Sequence, residues 1–256
     1  MEWRGLLPKN KSINFPQNVR SLKVLNKEII SCTACPRLNS WRSTVAREKR
    51  KSYSDEKYWG KPVPSFGVDK AQLLIIGLAP GAHGANRTGR IFTGDRSGDW
   101  LYGSLFRNGL AKKATSTDIH DGQEIFHTRI TCAVRCAPPD NKPLPDEACQ
   151  CSPFLEREVE LLLPTVRSFL VLGNFAWRAL FKVIQNLDSV AFKEYLRPLP
   201  RFGHGAHYQF TMSDGVVRHV IGSYHPSQQN TFTGKLTEEA LDDVVNRAKI
   251  FAIGSR

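Results

Sequence analysis

The stretch Gln72-Leu73-Leu74-Ile75-Ile76-Gly77 decides the fold. It is apolar throughout its middle, too short for a buried helix, and lacks the polar alternation of a strand with one wet face. Such a run reads as a strand covered on both sides, as strands inside parallel sheets are. Three further runs share its character: Thr128–Val134, Val166–Gly173 and Val216–Ser223. Helical periodicity fills the intervals over Asp99–Leu110, Pro145–Leu163 and Asn174–Gln185, and again over Thr237–Ile253 at the end of the chain. Upstream, Leu22–Ile30 and Leu38–Lys51 read as helices joined by a Cys-Thr-Ala-Cys-Pro turn. Alternating strands and helices predict an α/β fold, a parallel sheet with helices on both faces. Ligands of such sheets bind beyond the carboxyl ends of the strands, so the loops that follow each run are where function is expected.

The chain has 256 residues, 41% hydrophobic and 23% charged, which excludes disordered and fibrous classes. One domain over residues 21–256 is expected, preceded by a loose basic arm over residues 1–20. No apolar run approaches the roughly 20 residues of a membrane span, and the first residues lack a signal-peptide core, so a cytoplasmic location is expected. Thirty-six Lys and Arg against 24 Asp and Glu leave a net charge of +12, which favours a polyanionic partner, nucleic acid before anionic membrane. Arg47, Lys49, Arg50 and Lys51 form a basic run, read as a solvated helix face.

Six cysteines in a chain without an export signal point to metal or catalysis rather than disulfides. Cys32 and Cys35 form a CxxC pair. Cys149 and Cys151 sit two apart on a predicted helix, so their side chains diverge by about 200° and cannot share a site. Cys151 lies on the face of Leu155, Val159 and Leu162, whereas Cys149 shares its face with Glu156 and Glu160. Cys136 follows the second strand in a loop able to bend toward Cys151. The expected set is Cys32, Cys35, Cys136 and Cys151. Four thiolates suit zinc or an iron–sulfur cluster, and the long gap between Cys136 and Cys151 leans toward the cluster.

Residues 77–95, GLAPGAHGANRTGRIFTGD, hold five glycines that let backbone N–H groups approach a ligand. The pattern is neither a dinucleotide fingerprint nor a P-loop. Phe92 within it reads equally as a ring for stacking or as a hydrophobic plug. Asp95 is a candidate for chemistry, and also for a helix N-cap, although Asp99 suits the cap better. The fourth strand runs into Tyr224-His225-Pro226-Ser227-Gln228-Gln229-Asn230, which places His225 at a strand's carboxyl end. Residues 201–208, RFGHGAHY, read as a turn.

GLAPGAHGANRTGRIFTGD, RCAPPDNKP, GHGAHY and SYHPSQQNT, together with the CxxC, resemble the family 5 uracil-DNA glycosylases over most of the chain. The resemblance implies a three-layer α/β/α sandwich around a four-stranded parallel sheet, a structural 4Fe-4S cluster on Cys32, Cys35, Cys136 and Cys151, and damaged DNA as substrate. It implies that Asp95 is the catalytic carboxylate, that His225 and Asn141 assist, and that Phe92 stacks on the base beside Gly77, Leu78, Ala79 and Cys132. Family 4 relatives carry a uracil-reading Asn where Cys132 stands. A thiol cannot pair with both O4 and N3–H as an amide does, so looser base discrimination is expected, extending to hypoxanthine and xanthine. Arg87, Arg90 and Ser227 are expected to grip DNA phosphates. A monomeric, monofunctional enzyme working near the nucleoid, with no lysine nucleophile, is the resulting expectation. A non-catalytic iron–sulfur DNA-binding protein and an electron carrier are the rival readings; the first leaves Asp95 and His225 without a task, and the net charge of +12 argues against the second.

Overall fold

The computed structural model describes residues 19–254 apart from 197, so residues 1–18 of the expected basic arm lie outside the described residues. Four strands, β2 (Leu73–Gly77), β3 (Thr128–Cys132), β4 (Ser168–Leu172) and β6 (Val217–Ser223), pair in parallel in the order β3-β2-β4-β6. These are the four runs read from the sequence, each shorter by one to three residues. Two antiparallel edges were not foreseen, and the sheet has six strands among the described residues. β1 (Phe66–Gly67) pairs with β3 at one side, and β5 (His207–Thr211) pairs with β6 at the other. β1 is only two residues long, and β5 is largely half-exposed, so neither carries the apolar signature of the central strands.

Side chains alternate across β2. Leu74 and Ile76 meet α1 (Leu22–Ser31), α5 (Pro145–Leu162) and α6 (Asn174–Leu187) in one apolar layer. Leu73 and Ile75 meet α4 (Arg96–Arg107) and α9 (Glu238–Ile253) in the other. All four are fully buried, which explains why the strand reads as continuous rather than alternating. Each contributes about 1.5–3 kcal/mol by leaving water. The remaining helices are α2 (Pro36–Glu48), α3 (Ala85–Thr88), α7 (Ser189–Tyr195) and α8 (Gln228–Phe232). None of the helices is long and apolar enough to cross a membrane, among the described residues.

A buried ionic knot fastens α5 to β3. The Glu158 carboxylate accepts from Arg129 at 2.5 Å, from Arg135 at 2.6 Å and from Thr131 and Ser65 at 2.7 and 2.8 Å. Burial pushes this carboxyl up, but the two guanidiniums outweigh it and hold it well below the usual range. The knot rigidifies the stretch that leads into Cys136.

Candidate active site

β2 ends at Gly77 and pairs there with Cys132 at the end of β3. A Cβ on Gly77 would stand 2.9 Å from two ring atoms of Phe92 and 3.2 Å from the Cys132 sulfur. Glycine is therefore required at this strand end, because the Phe92 ring occupies the space a side chain would take. Phe92 holds a left-handed backbone conformation, φ 51°, which a bulky residue adopts only where its surroundings enforce it. Its carbonyl is pressed against Gly98, where a Cβ would fall 2.0 Å from the oxygen. The ring then lies 5.7 Å from that of His225, tilted by 31°. The ends of β2 and β3 and the loop after β6 thus come together around Phe92.

Asp95 stands at the head of α4 as its N-cap, with Oδ1 accepting from the Gly98 N–H at 3.0 Å. Asp99, which the sequence favoured for that role, is exposed in the first turn instead; the helix begins at Arg96, three residues earlier than its apolar pattern. The other oxygen, Oδ2, lies over the glycine-rich loop. A Cβ on Gly84 would sit 1.9 Å from it and one on Gly81 2.8 Å. Burial pushes the Asp95 carboxyl up, with Asp99 adding to the effect against the hydrogen bonds from Gly98 and Ser97. His225 is pulled down to about 4 by burial, so the imidazole is neutral at physiological pH. The Asn230 side-chain amide donates to its carbonyl at 2.8 Å and fixes the turn into α8.

The other candidate residues fall in different places. Leu78 and Ala79 follow Gly77 half-buried, and burial pushes the Cys132 thiol up. Ser227 is half-buried just ahead of α8. Asn141 is exposed on a short turn with φ 55°, preceded by Asp140 at φ 52°. Arg87 and Arg90 depart from their expected role. Arg87 donates to the Gly94 carbonyl at 2.7 Å and the His83 carbonyl at 2.8 Å and pairs with Glu56. Arg90 is held at 2.8 Å by both Ser116 and Asp121. Both guanidiniums are buried and brace the loop from inside rather than facing outward to a phosphate. The sequence reading also missed two supports: Tyr58, whose hydroxyl meets His83 Nδ1 at 3.0 Å, and His204, whose Nδ1 accepts from the Tyr224 N–H at 3.2 Å. The GHGAHY stretch is thus both a turn, as expected at His204-Gly205, and the brace for the segment bearing His225.

Cys32, Cys35, Cys136 and Cys151 line one small cavity together with Leu38, Val134 and Phe154. They come from the turn between α1 and α2, the loop after β3, and α5. Cys151 is buried and Cys149 exposed, as the helix periodicity requires. The Arg135 backbone N–H donates to the Cys151 sulfur at 3.2 Å. Burial raises the thiols of Cys136 and Cys151 to about 12 and that of Cys35 to about 11. No group of three or more His, Cys, Asp or Glu side chains among the described residues is arranged to hold a metal ion. The fit to a thiolate-bound group lies in the donors: four sulfurs bordering one cavity, with a backbone N–H already directed at one of them.

A family model described as the Uracil DNA glycosylase superfamily matches residues 64–249, which contain both site loops. The chain is 48% identical over 232 residues to a type-5 uracil-DNA glycosylase of Mycobacterium bovis, covering 91% of this chain and 82% of that one. It is 44% identical over 224 residues to the type-5 uracil-DNA glycosylase of Thermus thermophilus, covering 88% and 95%. A type-4 uracil-DNA glycosylase of Sulfurisphaera tokodaii matches more distantly, at 28% over 174 residues, covering 66% and 63%.

Proposed function

The chain belongs to the uracil DNA glycosylase superfamily, and from that premise we propose that it is a monofunctional repair enzyme that hydrolyses the bond between deoxyribose and uracil, hypoxanthine or xanthine in DNA. The observation that carries this reading is the meeting of Phe92, on the glycine-rich loop that also bears Asp95, with His225 on the loop after β6. A base inside a duplex is out of reach, so the nucleotide is first extruded into the pocket. Phe92 stacks on the base, worth about 1–3 kcal/mol. As the bond breaks, positive charge grows on the sugar and negative charge on the departing base. The Asp95 carboxylate stabilises the first and orients the attacking water. The neutral imidazole of His225 and the amides of Gly77, Leu78 and Ala79 hydrogen-bond the carbonyl oxygen of the leaving base. Asn141 and Ser227 contact the nucleic acid once it is bound. Neither the loop after β2 nor the one after β6 carries a lysine before Lys235, which favours water as the nucleophile and an intact sugar–phosphate chain.

In the same reading, Cys32, Cys35, Cys136 and Cys151 hold a 4Fe-4S cluster. When bound, the cluster supplies four covalent links that tie the turn between α1 and α2 to the loop after β3 and to α5. The protein acts as a monomer in the cytoplasm, on nucleoid DNA. Incubation with oligonucleotides bearing one lesion each, followed by alkali, tests the function directly. Cleavage at the uracil only after alkali is the expected result; an intact uracil strand overturns the reading, and cleavage without alkali overturns the monofunctional part.

A further inference from the structure

Behind the Asp95 loop runs a second concavity that the reaction above does not use. It is a groove of about 760 Å³, walled by the Lys57–Lys61 segment on one side and Thr117–His120 on the other. Its back is Arg87, the same side chain whose opposite edge holds the Gly94 carbonyl next to Asp95. The far wall is tied to the same corner, since the Gly94 N–H donates to the Ser116 carbonyl at 3.0 Å. Both walls of the groove are therefore tied to Gly94, the residue that precedes Asp95.

Its chemistry is that of a nucleic-acid strand site. Trp59 is half-buried, packed on Gly89 where a Cβ would fall 2.9 Å from its ring, and fixed by its indole N–H on the Pro62 carbonyl at 3.1 Å. The Lys61 ammonium stands over this ring at 5.7 Å. Lys57 and Lys61 are exposed, and neither is paired with a carboxylate among the described residues. Just upstream lie the basic residues Arg47, Lys49, Arg50 and Lys51. Two carboxylates also line the groove. Glu56 is neutralised by Arg87, and Asp118 is on the opposite wall, accepting from the His120 N–H at 2.6 Å. The charge is thus divided, positive along the Trp59 side and negative across from it. An aromatic ring between unpaired ammonium groups fits a chain of alternating bases and phosphates.

We propose that this groove receives the DNA strand that continues from the extruded nucleotide, with phosphates on Lys57 and Lys61 and a sugar or base against Trp59. The inference rests on the glycosylase reading and adds to it a track, on one side of the lesion only. It is tested with full-length protein and a duplex carrying a 2′-fluorinated, hydrolysis-resistant uracil nucleotide, with affinity measured across a series of salt concentrations. For the double variant K57A/K61A the slope of log affinity against log salt should be shallower by about 1.8, the loss of two phosphate contacts. The exposed pair on α1, in the variant K23A/K27A, should leave the slope unchanged. Shortening the duplex on one side of the lesion should weaken wild-type binding at least tenfold while leaving K57A/K61A indifferent to the same cut. A wild-type slope in K57A/K61A, an equal change in K23A/K27A, or equal sensitivity to both cuts overturns the track. Failure of the wild-type protein to excise uracil is a separate result and overturns the activity instead.

Discussion

Phe92 and His225 touch at a ring-centroid distance of 5.7 Å, although one follows the second strand and the other the sixth. This contact joins the two site loops, between which no hydrogen bond runs among the described residues. Phe92 is the ring against which both the glycine at the strand end and the imidazole are packed.

Asp95→Asn isolates chemistry from architecture, because asparagine caps a helix about as well as aspartate does. The helix start should survive while single-turnover excision of uracil falls about 10²-fold or more. Circular dichroism and rate measured on one preparation separate the two effects, and an undiminished rate would remove Asp95 from the mechanism.

Gly84→Ala attacks the same carboxylate from the other side. The new Cβ would coincide with Oδ2, so the carboxylate must turn away or the loop must open. Excision should drop at least tenfold with a change in melting temperature of only a few degrees.

The pH response of stability has a defined sign. The folded protein keeps His225 neutral down to about 4, whereas the unfolded chain takes up that proton near 6.5. Between these values the unfolded state binds more protons, so this group makes stability rise with pH across the window. Asp95 acts oppositely, because its raised folded value means the folded state binds the extra proton. In urea titrations, His225→Asn should flatten the rise between about pH 4 and 6.5. An unaltered rise would place the titrating group elsewhere.

Glu158→Gln leaves two buried guanidiniums facing a neutral amide. Breaking a buried ion pair by removing one partner typically costs about 3–5 kcal/mol, and a loss of that size is expected in denaturant unfolding. A loss below about 1 kcal/mol would mean that water reaches the knot.

The cysteine cavity has a direct readout. Purified protein should be brown and carry about four irons per chain. Cys136→Ser should bleach it, whereas Cys149→Ser should leave colour and iron unchanged, since Cys149 faces solvent. Stoichiometric zinc in a colourless preparation would overturn the cluster.

The four parallel strands were legible because they are buried on both faces, and a short, unbroken apolar run between helices fits little else. The fifth strand was not, since its residues are half-exposed. Yet the sequence held a signal for it: Asp214-Gly215, with Gly215 at φ 75°, is a turn pair that connects β5 to β6. The choice between Cys149 and Cys151 was legible from helix geometry alone. The roles of Arg87 and Arg90 were not, because an arginine in a glycine-rich loop looks the same whether it faces a phosphate or a carbonyl. Only the position of Gly94 and Asp121 in space decides that. Asp95 misled for a related reason: the apolar pattern of α4 starts inside the helix, so the cap lies upstream of the residues that betray it.

The two oxygens of Asp95 are held unlike one another, and this asymmetry dictates the fate of an added proton. Oδ1 already receives the helix's N–H, so acidification loads Oδ2, the atom above Gly81 and Gly84. Once loaded, that atom gives a hydrogen where before it took one. A water resting there would be rotated to present a lone pair to the carboxyl and its hydrogens to the sugar, the wrong end for attack. Acid would thus disarm the enzyme by turning that water.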